Sequence, residues 1–228
     1  MMKKNKKYLE AAKLVDKNKV YNLDEAIKIL KQMPKANFDE TVEVHIRLNV
    51  KTNKVTQNVS GTVSLPNGTG KKVKIWVVAK GDKAKEAQNA GAHRVGYEDI
   101  IEEIKKGRID FDVLIATPDA MKDLSKVARI IGPKGLMPSP KTGTLTFDIA
   151  DTVKSFKAGR VKWKVDTSGN IHAGVGKISF PDDKIKENVL AFVETIKNAK
   201  MPLDISGNLI KSIHISKTMS PGLEVLLS

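Results

Sequence analysis

Five groups of residues in this chain have types and spacings that could do chemistry. GPKGLMPSPKTG (132–143) combines glycines, prolines and two lysines with no acid, and NGTGKK (67–72) repeats the theme. Both invite a phosphate. A P-loop, however, needs Gly where Leu65 stands and Ser or Thr where Lys72 stands, and it must open a helix. NGTGKK precedes an apolar, strand-like run instead, and GPKGLMPSPKTG follows a helical pattern. GAHRVG (91–96) lacks the dinucleotide fingerprint as well. Asp119 and Asp123 follow a strand-like run, where an α/β enzyme could keep a general base, but each reads better as a turn or cap acid. His45, His93, His172 and His214 contain no i,i+4 pair for a metal. One or two of them could meet across a sheet, where a polar-face histidine contacts solvent or RNA. Cysteine is absent, which removes disulfides, thiolate zinc sites and a thiol nucleophile. The expectation is no enzyme, no metal and no cofactor.

Charge points elsewhere. Lys and Arg number 40 against 26 Asp and Glu, a net charge of +14 over 228 residues. A surplus of this size favours a polyanionic partner, because each neutralised phosphate releases a condensed counterion. No segment has signal-peptide character or approaches a membrane span. The expected setting is therefore soluble and intracellular.

The elements that must position these residues follow two patterns. In the middle of the chain, KIWVVAKG (74–81) and DFDVLIATPDAM (110–121) read as buried strands. The helices DKAKEAQNAG, YEDIIEEIKKG and DLSKVARIIG alternate with them, and HRVG lies between the first two. Ile100, Ile101 and Ile104 form one apolar stripe. Acids in the first turns and lysines in the last suit the helix dipole, and Gly107 closes the helix. This order predicts a small parallel sheet flanked by helices. Outside it, ETVEVHIRL, NVSGTVSL, RVKWKVD, KISF and SIHISKT alternate apolar and polar residues with a period of two. Such strands have one buried and one open face. DDKIKENVLAFVETIKNAK, with Asp182 or Asp183 as N-cap, and NLDEAIKIL, with Asn22 and Glu25 as a capping box, supply covering helices.

The predicted fold is an α+β discontinuous domain, an antiparallel-rich sheet with helices on one face, into which an α/β Rossmann-like domain is inserted. Its expected boundaries are 1–66 with 160–228, and 67–159, with hinges at LPNGTG (65–70) and KAGR (157–160). The inserted stretch has 17 basic and 12 acidic residues and the remainder 23 and 14, so the larger surplus accompanies the open faces. Those faces collect Thr41, Glu43, Lys177, Ser179 and Thr218, with Phe38 at the start of a strand. Short polar groups of this kind suit sugar and phosphate, and Phe38 suits a ribose or base.

At this point the chain resembles a known family, the bacterial large-subunit ribosomal proteins called L-one, of the mobile stalk beside the tRNA exit site. The matching stretches are KVYNLDEAIKIL, NFDETVEVHIRL, QNVSGTVSLPNGTGK, FDVLIATPDAM, GPKGLMPSPKTGT, FKAGR, GNIHAGVGKISF and SKTMSPG, in order over nearly the whole chain. The resemblance implies two hinged domains. The discontinuous one would bind large-subunit ribosomal RNA through Phe38, Thr41, Glu43, His172, Gly174, Lys177, Ser179, Thr218 and Met219. It further implies a cytoplasmic protein, monomeric within the ribosome and without a membrane partner. Such a protein assists release of exit-site tRNA and represses translation by binding its own operon mRNA. The loop with Lys51, Lys54 and Gln57 is a candidate tRNA contact. Departures from the family pattern fall at Asn37 (usually Lys), Ser60 (usually Arg), and Lys217 and Ser220 (usually Thr and Gly).

Two other readings stay open on sequence alone. One is a nucleotide- or sugar-phosphate-processing enzyme built on the middle stretch. The other is a free regulatory protein acting mainly on messenger RNA.

Overall fold

The structure is a computed structural model that describes residues 6–16, 18–50, 59–199, 201 and 205–227. In chain order it places helix α1 (Lys6–Lys13), β1 (Tyr21–Asn22), α2 (Leu23–Gln32), β2 (Thr41–Val50) and β3 (Ser60–Ser64). Then come β4 (Ile75–Val78), α3 (Asp82–Asn89), β5 (Arg94–Gly96), α4 (Glu98–Lys105) and β6 (Val113–Ala116). The one-turn helices α5 (Met121–Leu124) and α6 (Ala128–Ile131) follow, and then α7 (Ile149–Ala158). The chain closes with β7 (Arg160–Lys164), β8 (Asn170–Lys177), α8 (Asp182–Asn198), β9 (Ile205–Lys217) and β10 (Leu223–Leu226). Two compact units result, residues 1–71 with 161–228 (the outer unit) and residues 72–160 (the inner unit). LPNGTG packs within the outer unit, where Asn188 accepts from the Asn67 amide at 3.0 Å and donates to the Gly68 carbonyl at 2.8 Å.

The outer unit is built on a five-stranded sheet of order β1-β10-β9-β2-β8. Central β2 pairs antiparallel with both β8 and β9. Its alternation is realised as expected: Val42, Val44, Ile46 and Leu48 are buried, and Thr41, Glu43, His45 and Arg47 are not. The covering stripe comes from Leu23, Ala26, Ile27 and Leu30 of α2 and Ile185, Val189, Phe192, Val193 and Ile196 of α8. Each such side chain removed from water contributes about 1.5–3 kcal/mol, so this layer fixes which face of β2 stays open. β3 and β7 stand apart as a two-stranded sheet. KISF is not an alternating strand as expected: β8 ends at its first residue, Lys177, and residues 178–180 form a turn.

The inner unit has a three-stranded parallel sheet of order β5-β4-β6. Every residue of β4 and β6 is buried. Trp76, Val78, Leu114 and Ala116 face Ile100, Ile101 and Ile104 of α4, whereas Ile75, Val77, Val113 and Ile115 face Val153 and Phe156 of α7. Helices on both faces explain the unbroken apolar runs.

Three local expectations are corrected. DLSKVARIIG is not one helix: the backbone leaves the helical region at Val127 (φ −108°, ψ 4°) between α5 and α6, with 3₁₀ turns before each. The N-cap of α8 is Pro181, so Asp182 and Asp183 lie inside the first turn, where they act on the dipole, and Asp182 pairs with Lys31. Asn22 does precede α2, but its side chain makes no cap bond, and Glu25 reaches Lys19 at 2.6 Å instead of closing a capping box.

Candidate RNA-binding surface

Two stretches meet at one end of β2: residues 33–40, which lead into it, and the turn 217–220 that joins β9 to β10. A buried ion pair ties them. Glu40 and Lys217 are each 1% exposed at the side chain, with Nζ and Oε2 2.8 Å apart. The ammonium also donates to the carbonyls of Pro34 (2.9 Å) and Met33 (3.4 Å). The carboxylate accepts from the amides of Ala36 (3.3 Å) and Met219 (3.1 Å). Two loops that would otherwise leave polar backbone buried are thus satisfied by one acid and one base.

This anchor sets the positions of Phe38 and Met219, which are 56% and 54% exposed. With Thr218, Pro34, Lys7 and Tyr8 they line a groove of about 680 Å³. Thr41 locks the junction: its amide donates to Thr218 Oγ1 at 3.0 Å, and its carbonyl accepts from the Thr218 amide at 3.1 Å. Ser220 closes the turn, its hydroxyl accepting from the Lys217 amide at 2.9 Å. Across β2, Lys177 Nζ donates to Thr41 Oγ1 (3.0 Å) and to the Asp39 carbonyl (3.1 Å). Ser179 donates to Asp39 Oδ2 at 2.8 Å. Phe38, Thr41, Lys177, Ser179, Thr218 and Met219 are therefore brought together.

The remaining family positions continue along the open face. Glu43 lies opposite Gly174 on β8 and Ser216 on β9. Gly174 has no side chain to spare, because a Cβ there would stand 3.0 Å from Thr41 Cγ2. His172 is exposed, with Nδ1 2.8 Å from Nδ1 of His45. Lys51, Lys54 and Gln57 lie outside the described residues. The histidines exceed the expectation for them: His172, His45 and His214 stand in one row across β8, β2 and β9. Among the described residues no group of three metal-ligating side chains gathers.

Sequence reasoning missed Glu40, Lys217, Lys7 and Tyr8. The first two had a signal. Lys217 shares the parity of buried Ile213 and Ile215, and Glu40 that of buried Val42 and Val44. Opposite charges at core parity on paired strands announce a buried pair. Lys217, a departure from the family pattern, accordingly sits behind the surface and not on it.

The inner unit offers less. Asp123 accepts from Tyr97 Oη (2.8 Å) and pairs with Lys126 (2.8 Å). Bonds from Lys126 and then Tyr97 hold its carboxyl below the usual range, the reverse of a poised general base. GPKGLMPSPKTG forms successive turns: the Ser139 amide donates to buried Thr144 Oγ1 at 3.0 Å, and Gly143 takes a left-handed φ of 63°. Lys134 and Lys141 on it are exposed.

Comparison with known proteins bears on the family resemblance. A profile of the ribosomal protein L1p/L10e family matches residues 30–221. The large ribosomal subunit protein uL1 of Kosmotoga olearia is 51% identical over 225 residues, covering 99% of this chain and 97% of its own. That of Thermosipho africanus is 50% identical over 226 residues, with the same coverage. No helix among the described residues is long and apolar enough to cross a membrane. The chain is a ribosomal protein, not an enzyme, and belongs to the ribosomal protein L1p/L10e family.

Proposed function

We propose that this protein is a constituent of the large ribosomal subunit and grips ribosomal RNA of the stalk with the open end of its outer sheet. The observation that carries this reading is the placement of exposed Phe38 and Met219 beside Thr41 and Thr218, all fixed from behind by the Glu40–Lys217 pair. A surface held this firmly needs little ordering on binding. Thr218 and Ser179 reach riboses and phosphates, Glu43 accepts from a ribose 2′-hydroxyl, and Phe38 stacks on an unpaired base. The lysine surplus adds a salt-sensitive, sequence-independent component.

In the same reading the outer unit is the RNA-binding domain and the inner unit a domain hinged to it that assists. The stalk so formed moves with tRNA leaving the exit site. Operon mRNA that presents the same ribose and phosphate pattern competes for the surface, giving translational repression. The test is the affinity of Thr218→Ala and Met219→Ala for a transcribed stalk RNA fragment. Weakened binding with unchanged folding is expected, and wild-type affinity in both would refute the site. Co-sedimentation with large subunits at high salt separates a ribosomal component from a free regulator.

A further inference from the structure

The open face of the outer sheet carries more than the residues that the family resemblance names. His45 sits opposite His172 on β8 and His214 on β9. Its Nδ1 is 2.8 Å from His172 Nδ1, with ring centroids 5.0 Å apart at 60°. Its Nε2 is 2.9 Å from Ser216 Oγ. Both nitrogens of one imidazole are therefore committed within a row that spans three strands.

The contact at 2.8 Å restricts protonation. One Nδ1 must donate and the other accept, which the pair manages with no added proton or with one. A second proton would set two N–H donors against each other. The charged neighbours are few. Glu43 Oε2 stands 3.8 Å from His45 Nε2, Asp166 Oδ2 3.6 Å from His172 Nε2, and Glu224 Oε2 3.9 Å from His214 Nε2. Arg47 lies two pairs further along β2, between Asn170 and Ser212. Burial first, and the neighbouring His172 second, hold His45 below the ordinary histidine range, with Glu43 opposing. Asp166 is held below its ordinary range despite its burial, by bonds from Asn170, Ser168 and His172.

We propose that the His172–His45 pair is a contact for an RNA backbone phosphodiester, and that this contact takes up a proton as RNA binds. A phosphodiester stays anionic throughout the range in which imidazole titrates. Set against the row, it supplies the negative charge that lets both rings be cationic. The second proton breaks the Nδ1–Nδ1 contact, and each ring turns its freed N–H to a phosphate oxygen. No bond is made or broken other than to hydrogen, and the proton comes from solvent. The proposal rests on the reading of this face as an RNA surface. It extends the grip from the Thr41 end of β2 toward Arg47. Because the pair binds more protons in the complex than in the free protein, affinity rises as pH falls.

The experiment measures affinity of the full-length protein for a transcribed stalk RNA fragment at about pH 8 and about pH 6, at constant ionic strength. The readout is the ratio of the two affinities. For the wild type it should favour the lower pH by about tenfold, the equivalent of one unit of pKa displacement on binding. His45→Gln, which keeps a polar side chain, should bring the ratio close to one, and so should His172→Gln, at an exposed position where folding is not at issue. His93→Gln, in the inner unit, should keep the wild-type ratio. A pH-independent wild type, or a His45→Gln ratio equal to wild type, overturns the proton-linked contact and leaves the RNA surface standing. A wild type that binds the fragment at neither pH overturns the RNA surface and this contact with it.

Discussion

The two sheets of this protein use strands in opposite ways. β4 and β6 of the inner unit are buried on both faces, so each of their side chains serves packing. β2 of the outer unit is buried on one face and leaves Thr41, Glu43, His45 and Arg47 in reach of a partner. A doubly covered sheet can present only its loops, whose positions depend on turn chemistry, as GPKGLMPSPKTG shows. A singly covered sheet presents a row of side chains at fixed strand spacing. The difference teaches that, among the described residues, rigidity and access are combined on the open face of the outer unit, which is why the proposed RNA grip is placed there.

The comparison can be broken at several points. The largest effect is expected at the outer anchor. Lys217→Ala strands a buried carboxylate and two carbonyls, and should cost about 3–5 kcal/mol of stability in urea unfolding. Replacing both partners, as in Glu40→Gln with Lys217→Met, should cost clearly less than the sum of the single changes. Additive losses would show that the pair is not coupled.

Ile115→Ala is the inner counterpart. A cavity beneath a doubly covered strand should cost about 2–5 kcal/mol, yet RNA affinity of the folded fraction should stay at wild type. An affinity loss matching that of an outer-face change would contradict the division of labour.

Phe38→Ala reverses this signature. Removal of an exposed ring should leave stability within about 0.5 kcal/mol and weaken RNA binding by about 1–3 kcal/mol, the usual worth of a base-stacking aromatic. The smallest effect concerns pH. His45 has a folded pKa below its unfolded value of 6.5, so below that value the unfolded chain binds more protons than the folded one. Its contribution to stability is present above the unfolded pKa and is lost as pH falls toward the folded pKa. Urea midpoints of wild type and His45→Gln should therefore converge or cross on acidification. A constant difference would show that His45 is not the group responsible.

Much of this architecture was legible from periodicity. The alternation of ETVEVHIRL and the stripe of Ile185, Val189, Phe192 and Ile196 each specify a buried face without outside help. So do the apolar runs of β4 and β6. What escaped depends on partners distant in sequence. The row His172–His45–His214 is set by strand register, which no single strand encodes. The assignment of β3 and β7 to their own small sheet is likewise a matter of pairing. α1 was hidden in a lysine-rich stretch whose one buried side chain is Ala11. Glu40 and Lys217 carry only the signal of parity along their strands, which residue type alone conceals. In the candidate site, the exposed polar groups are therefore legible from residue type, and the buried anchor behind them only from its parity.

The most direct test of the central claim compares the two units within one assay. Affinity for a transcribed stalk RNA fragment would be measured for Thr218→Ala with Met219→Ala in the outer unit, and for Lys134→Ala with Lys141→Ala in the inner loop. The account predicts a loss of about tenfold or more for the outer pair, and a loss of only a few fold, confined to low salt, for the inner pair. Unchanged affinity in the outer pair, with a tenfold loss in the inner one, would place the grip on the loop and contradict the account.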